Sequence, residues 1–464
     1  MSRLRAAVAL LAAALAPACG EPAPPPDVIL VLVDTLRADR TSLAPDGPPT
    51  TPELLAFCSA GTRYTQAVAP SSWTLPSIAA LFCGQDARAH SQPGGPGLVT
   101  RHGVDPALPT LAERFREGGY RTVGLVANPL LTEAAGYARG FDEWVLAPPG
   151  TTDDLSASID ELRAWDAEAL VARALSSLAA APRDQPVFLY LHLMDAHVPY
   201  DAANEALARP SPGWTEEAAG APLVAWADAL SPEQRALLVG WRTGYDGQVA
   251  FADRALGRLL ARRAELRGRA AVVAVTADHG EGLFTHLRNA DSPPGPGPLG
   301  AAYGDHGEQL YEEALRVPLC LVGPGVPAGR EEPRAVPLRD LGATLLALAG
   351  LPAPGPHLPL SASDAVPDAI VGAGTRGWFV RAGERKLVIP FPERSASDGI
   401  APQLFAVGAG RFPPELEDLA AAEPQRRDEL LARWRAWRAD AVEDPIGPLD
   451  PETEQALRAL GYLR

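Results

Sequence analysis

Three runs in this chain are apolar on both faces, and each stops short of an acid. Asp27–Val33 reads DVILVLV and runs into Asp34; Pro186–Leu193 reads PVFLYLHL and is followed by Asp195 and His197; Ala270–Thr276 reads AAVVAVT, just ahead of Asp278 and His279. A strand with no polar face must be covered on both sides, as in parallel sheets flanked by helices. Thr122–Ala127 is a weaker fourth run, and helix-compatible sequence lies between over Pro52–Ala60, Leu108–Glu117, Leu155–Ala181 and Glu233–Arg263. This alternation predicts a doubly wound α/β domain. Ligands of open α/β sheets bind beyond the carboxyl ends of the strands, so the three polar ends would share one rim. A single Asp after a strand ordinarily caps the next turn or helix. Three such ends, two of them carrying His, point to a site.

The remaining organisation is coarser. Pro and Gly cluster at Pro293–Gly300, read as a surface insertion, and at Leu351–Pro359, read as the start of a linker. We expect a main domain over 27–350, a linker over 351–376 and a small α+β unit over 377–464, with strand character at Gly377–Pro390 and a helix at Glu415–Trp437. The tetrapeptide Asp-His-Gly-Glu occurs twice, at 278–281 and 305–308. A 47% hydrophobic, 21% charged chain is neither mostly disordered nor a multi-span membrane protein. Its net charge of −16, without a basic cluster, excludes nucleic acid as a natural partner. Four cysteines are too few for a disulfide scaffold, and no Cys-x-x-Cys pair suggests zinc.

The first 18 residues read as a signal peptide: Arg3 and Arg5, an apolar stretch Ala6–Ala16, then small residues before Cys19. The stretch is too short to cross ~30 Å of hydrocarbon as a helix. Residues 19–26 form a Pro-rich tether, and the arrangement resembles a bacterial lipoprotein lipidated at Cys19. A plain signal peptide with Ala16 and Ala18 as its small-residue site is the alternative. Either way the protein is expected to be exported, periplasmic or anchored to a membrane through Cys19.

Ser71–Ser77 reads SSWTLPS and leads into an apolar, helix-compatible stretch. Thr74 suits an N-cap and Pro76 the first turn. A helix N-terminus favours anions, and a hydroxyl there, facing a metal held by aspartates, could attack a phosphoryl or sulfuryl centre. Locally, the plainer reading is that Thr74 only caps the helix.

Six ordered blocks then matter together: VLVDTLRADR (31–40), SSWTLPS (71–77), GYRTVGLVANP (119–129), LHLMDAHVPY (191–200), VTADHGEG (275–282) and HGEQLYEEALRVPLCLVGPG (306–325). In that order they resemble the sulfatase family of the alkaline phosphatase superfamily. The resemblance implies a sandwich with a large mixed, mostly parallel sheet and a small C-terminal subdomain. It also implies one divalent metal ion, held by Asp34, Asp278 and His279, and a nucleophile at Thr74. His197 matches a histidine contacting the ester, His306 one near the leaving group, and Asn128 a polar substrate contact. His192 reads as a core histidine, His286 as a neighbour by sequence only, and His90, His102 and His357 as surface or loop residues.

The departures are informative. Typical sulfatases carry Cys or Ser within Cys-x-Pro-x-Arg, converted to formylglycine; here those ends are Thr74 and Ile78, and Thr cannot form that aldehyde. Thr35 replaces the second acid of the usual Asp-Asp pair, and the single lysine, Lys386, lies past the catalytic blocks. An imidazole ligand favours Mn, Zn or Fe over Ca, which prefers oxygen. The expectation is a hydrolase of small anionic esters working through Thr74 without formylglycine, with phosphate and phosphonate esters weighted slightly above sulfate. A phosphoryl-headgroup transferase and a non-catalytic sulfatase-like binding lipoprotein are the alternatives. Substrate choice would rest with the loops Gly140–Leu155, Asp201–Ala229 and Phe284–Gly304.

Overall fold

The computed structural model describes residues 24–86, 93–94, 98–99, 103–148, 163–208, 231–286, 304–392, 401–408, 415 and 417–439. Residues 1–23, which hold the expected signal peptide, Cys19 and most of the tether, lie outside that set, as do His90, His102 and the Pro293–Gly300 insertion. Among the described residues no helix is long and apolar enough to cross a membrane.

The apolar runs become the middle of a nine-stranded sheet. Its strands are β1 (Asp27–Val33), β2 (Thr62–Val68), β3 (Arg121–Val126), β4 (Glu143–Leu146), β5 (Val187–Leu193), β6 (Ala271–Thr276), β7 (Arg316–Val322), β8 (Arg330–Glu332) and β9 (Val336–Pro337). In space they run β8-β2-β7-β6-β1-β5-β3-β4, with β9 also on β2. β1 pairs in parallel with both β5 and β6, and Leu32 lies opposite His192 on one side and Thr276 on the other. The three polar strand ends therefore emerge at one level, as the sequence predicted. Only β7 runs against its neighbours β2 and β6. Every residue of β1, β5 and β6 is buried, each large aliphatic contributing about 1.5–3 kcal/mol.

Helices cover the sheet: α1 (Pro52–Ser59), α2 (Thr74–Cys83), α3 (Leu111–Glu117), α4 (Ala167–Ala180), α5 (Pro232–Arg267) and α6 (Leu341–Leu348). α2 is apolar all round and accordingly buried from Thr74 to Phe82; it ends at Gly84, whose φ of 67° permits the left-handed cap. α4 starts at Ala167 with Asp166 as its N-cap, so the expected Leu155–Ala181 helix is broken at 164–166, after a helical Arg163; 155–162 lie outside the described residues. α5 runs 36 residues between a Ser231–Gln234 capping box and Gly268. Cys58 of α1 and Cys320 of β7 form a disulfide, which cysteine number alone did not predict.

A second, antiparallel sheet comprises β10 (Ile370–Ala373), β11 (Gly377–Ala382), β12 (Arg385–Pro390) and β13 (Gln403–Ala406). It begins inside the stretch read as linker, because Gly374 and Gly377 close a tight connection between β10 and β11. α7 (Pro424–Ala439) packs Leu430 and Trp434 on Trp378 and Leu387. The expected helix from Glu415 thus starts nine positions later; Glu415 itself has φ 46°. Fold class and architecture are those the sequence and its family resemblance implied: a mixed, mostly parallel sheet with helices and a small antiparallel sheet beyond it.

Candidate active site

Asp34 leaves the end of β1 with its N–H on Leu193 O at 2.8 Å. Thr35 then turns the chain with φ 55°, a costly conformation for a β-branched residue. Two bonds hold it there: its own hydroxyl donates to Asp34 O at 2.7 Å, and Tyr245 OH of α5 donates to Thr35 O at 2.8 Å. Thr35 therefore spends its hydroxyl on the turn rather than offering a second ligand.

The Asp34 carboxylate organises the rim. Its Oδ2 accepts Asn128 Nδ2 at 2.8 Å and faces His192 Nε2 at 2.9 Å, and His192 Nδ1 meets Tyr190 OH at 2.7 Å. Thr74 is the first residue of α2; Trp73 holds the N-cap position and no side chain caps the helix. The Thr74 hydroxyl instead lies 3.4 Å from Asp34 Oδ2, 3.3 Å from His279 Nε2 and 3.3 Å from Asn128 Nδ2. The capping reading of Thr74 is thereby corrected: its side chain points into the cluster.

Asp34, Asp278 and His279 are buried, and one ligand atom from each lies within 4.8 Å of the others. Asp34 Oδ1 and Asp278 Oδ2 have no hydrogen-bond partner, and they lie 3.6 and 3.4 Å from His279 Nε2. His279 Nδ1 sits 2.9 Å from Gly280 O, which assigns its proton there and leaves Nε2 a lone pair. Burial and the nearby His306 push the His279 imidazole down to about 3, so it is neutral. Burial and the Asp34 charge raise the Asp278 carboxyl well above its ordinary range. Burial works against the Asp34 anion too, yet its hydrogen bond to His192 and the neighbouring histidines hold it below the usual carboxylate range. Two orphaned buried acid oxygens converging on a neutral imidazole fit a divalent cation.

The two Asp-His-Gly-Glu loops face each other across this cluster. The His279 and His306 ring centroids are 4.6 Å apart, and those of His306 and His197 are 5.0 Å apart. Glu281 Oε2 lies 3.2 Å from His306 Nδ1, while Gly282 N–H holds Glu281 Oε1 at 2.9 Å. Burial alone would lower His306, but the Glu281 carboxylate raises it to about 9, so it carries a proton at neutral pH. Glu281, Asp305 and His306 form a second acid–histidine group, with Asp305 exposed.

Every residue singled out from sequence for the site, Asp34, Thr74, Asn128, His197, Asp278, His279 and His306, lies in this one region. Asp195 does not join them: it faces a side pocket instead. His192, read as a core histidine, touches Asp34 directly, and Glu281 was missed as a partner of His306. A parallel strand ending beside β1 was the available signal for His192; nothing local marked Glu281. His286 is buried on Glu313 at 2.9 Å and stacked on Tyr311, His357 is exposed, and Ile78 packs in the core. Lys386 pairs with Glu312 and Glu415. Most of two expected specificity loops, Asp201–Ala229 and Phe284–Gly304, lies outside the described residues, as does the end of the first.

The family model described as Sulfatase matches residues 26–351. N-acetylgalactosamine-6-sulfatase of Canis lupus familiaris is 24% identical over 405 residues, covering 83% of this chain and 74% of that protein. Among solved structures, the phosphonate monoester hydrolase of Agrobacterium radiobacter superposes with a TM-score of 0.62 at 19% identity, covering 92% of this chain and all of that one (100%). The phosphonate monoester hydrolase SpPMH of Silicibacter pomeroyi gives 0.60 at 18%, covering 90% and 96%. At such identities the superpositions establish the shared fold.

Proposed function

The chain is an ester hydrolase of the sulfatase family, and from that premise we propose that it cleaves small anionic esters through an unmodified Thr74 nucleophile. The observation that carries this reading is the Thr74 hydroxyl, buried and within 3.4 Å of Asp34, His279 and Asn128. Asp34, Asp278 and His279 would hold one divalent ion, with Mn, Zn or Fe favoured over Ca by the imidazole. Such an ion lowers the pKa of an adjacent hydroxyl and polarises the ester. Formylglycine has no place, since position 74 is Thr.

In the first step the Thr74 hydroxyl releases its proton to solvent and a bond forms between Oγ1 and phosphorus or sulfur as the bond to the alcohol breaks. Asn128 fixes the hydroxyl's orientation through its 3.3 Å bond. His306, raised to about 9, is charged at neutral pH and suits proton donation to the departing alcohol; His197 stands beside it. Water then cleaves the threonyl ester and restores the hydroxyl. A formylglycine hydrate can expel sulfate by elimination, whereas a threonyl ester needs an attacking water. That requirement favours phosphate and phosphonate esters slightly over sulfate. Export, and attachment through a lipidated Cys19, remain part of the proposal; the Cys58–Cys320 disulfide supports an oxidising compartment.

Intact-mass analysis during turnover tests the mechanism. We expect one phosphoryl or sulfuryl adduct mapped to Thr74, absent from Thr74→Ala, with activity in that variant reduced by about 10³-fold or more. Full activity in Thr74→Ala would reject the nucleophile.

A further inference from the structure

Beside His197 a pocket encloses about 450 Å³, counting the space open to solvent at its mouth. Its walls come from the segment ahead of α4, the loop after β5 and one face of α5; Arg163, Trp165, Asp166, Asp195, His197 and Asp201 are among the lining residues. Three carboxylates thus meet one guanidinium. Arg163 Nε already donates to Asp201 Oδ2 at 3.2 Å, so its charge is matched. Asp166 Oδ1 caps α4 by accepting Ala169 N–H at 2.8 Å. Asp195 Oδ1 accepts Ala167 N–H at 3.1 Å, while its buried Oδ2 has no partner. Burial, with the charge of Asp166, pushes the Asp195 carboxyl up to about 7, as for an acid lacking a counter-charge. The Trp165 ring beside them already carries a resident cation, the Arg173 guanidinium carbon lying 4.4 Å from its centroid.

The pocket is linked to the reaction centre by a chain of contacts. His197 lines it, stacks edge-on to His306, and His306 in turn neighbours His279, whose Nε2 is 3.3 Å from the Thr74 hydroxyl. Resting on the hydrolase reading above, in which His306 and His197 face the departing alcohol, we propose that this pocket selects the alcohol half of the substrate. It takes alcohols bearing an amine or quaternary ammonium group a few bonds from the ester oxygen. The cation supplies positive charge to a wall of three carboxylates whose guanidinium, Arg163, is already bound to Asp201, and a protonated amine also brings the N–H donor that Asp195 Oδ2 lacks. The same lining repels alcohols carrying carboxylates or sulfates, so anionic glycan esters are the disfavoured class.

The test compares phosphonate and sulfate esters of three alcohols of similar shape: 2-(trimethylammonio)ethanol, its neutral isostere 3,3-dimethylbutanol and 4-hydroxybutanoate. We expect kcat/KM to favour the ammonium ester over the neutral one by about tenfold, with the carboxylate ester lowest. That ratio should approach unity in Asp195→Asn and in Asp201→Asn; being internal to each sample, it does not depend on the folded fraction. An equal or better neutral ester in the wild-type protein, or an unchanged ratio in both variants, overturns the pocket assignment. Calorimetric titration of free 2-(trimethylammonio)ethanol into Thr74→Ala separates this inference from the hydrolase reading. Binding that weakens by about fivefold on adding Asp195→Asn sustains the pocket even if no ester is turned over. Turnover of neutral esters without ammonium binding removes the pocket and leaves the hydrolase.

Discussion

Asp34 Oδ1 and Asp278 Oδ2 are buried acid oxygens without a hydrogen-bond donor, and that single pair determines much of the chemistry around Thr74. Two unpaired carboxylates in one dry cluster repel each other; a bound cation removes the penalty for both. Divalent ion should therefore raise the melting temperature of chelator-stripped protein, by about 2.7 kcal/mol of stability at a hundredfold excess over Kd. Asp278→Asn should abolish that gain while leaving the stripped protein about as stable as stripped wild type, because the Asp278 carboxyl, raised well above its ordinary range, already holds a proton there. Thermal melts with Mn, Zn and Ca in turn decide the matter, and a wild-type melt indifferent to all three would remove the metal from the mechanism.

Among the elements, the loop after β6 that carries the first Asp-His-Gly-Glu sequence has little room to move. A Cβ on Gly280 would come within 1.9 Å of Glu313 O, and Gly280 N–H bonds Ala314 O at 2.9 Å. Gly280→Ala should cost about 1–3 kcal/mol, and activity should fall further than stability because His279 and Glu281 move with the loop. Denaturant unfolding alongside kcat/KM measures both; an active variant of wild-type stability would contradict the close approach. The Cys58–Cys320 link joins α1 to β7 across 262 residues of sequence. Reduction, or Cys58→Ala with Cys320→Ala, should lower stability by about 2–5 kcal/mol. Melting with and without reductant reads that effect directly.

Across the whole molecule, the two sheets are joined by a buried ionic seam. Glu312, just before β7, meets Arg381 of β11 at 2.9 Å and Lys386 of β12 at 3.2 Å, and Lys386 also meets Glu415 at 2.8 Å. Lys386, the chain's one lysine, is fully buried, so its place is structural rather than substrate-facing. Lys386→Met removes the cation that Glu312 and Glu415 share and should cost about 3–5 kcal/mol. Burial would raise Glu312, but Arg381 and Lys386 hold it down to about 2, below its ordinary 4.5. A depressed carboxyl stabilises the fold fully above pH 4.5 and loses that contribution as pH falls through about 2. The acid limb of the stability curve should accordingly shrink in Glu312→Gln, measured by unfolding between pH 2 and 5.

The amino-acid sequence alone determined the three buried strands and the shared rim at their ends, with Asp34, His197, Asp278 and His279 on it, because residue type and period report burial and strand direction locally; Thr74, Asn128 and His306 came only with the resemblance of six ordered blocks to the sulfatase family. Tertiary structure decided what depends on partners distant in the chain. His192 and Leu32 share a register only after β5 pairs with β1, so the imidazole's contact with Asp34 could not be read from its own strand. Glu281 meets His306 from 25 positions away in the chain, Asp195 turns to a side pocket because α4 offers it an N–H, and Cys58 finds Cys320 because helix and strand stack. Periodicity says which face of an element is dry; only the packed chain says which polar groups meet there.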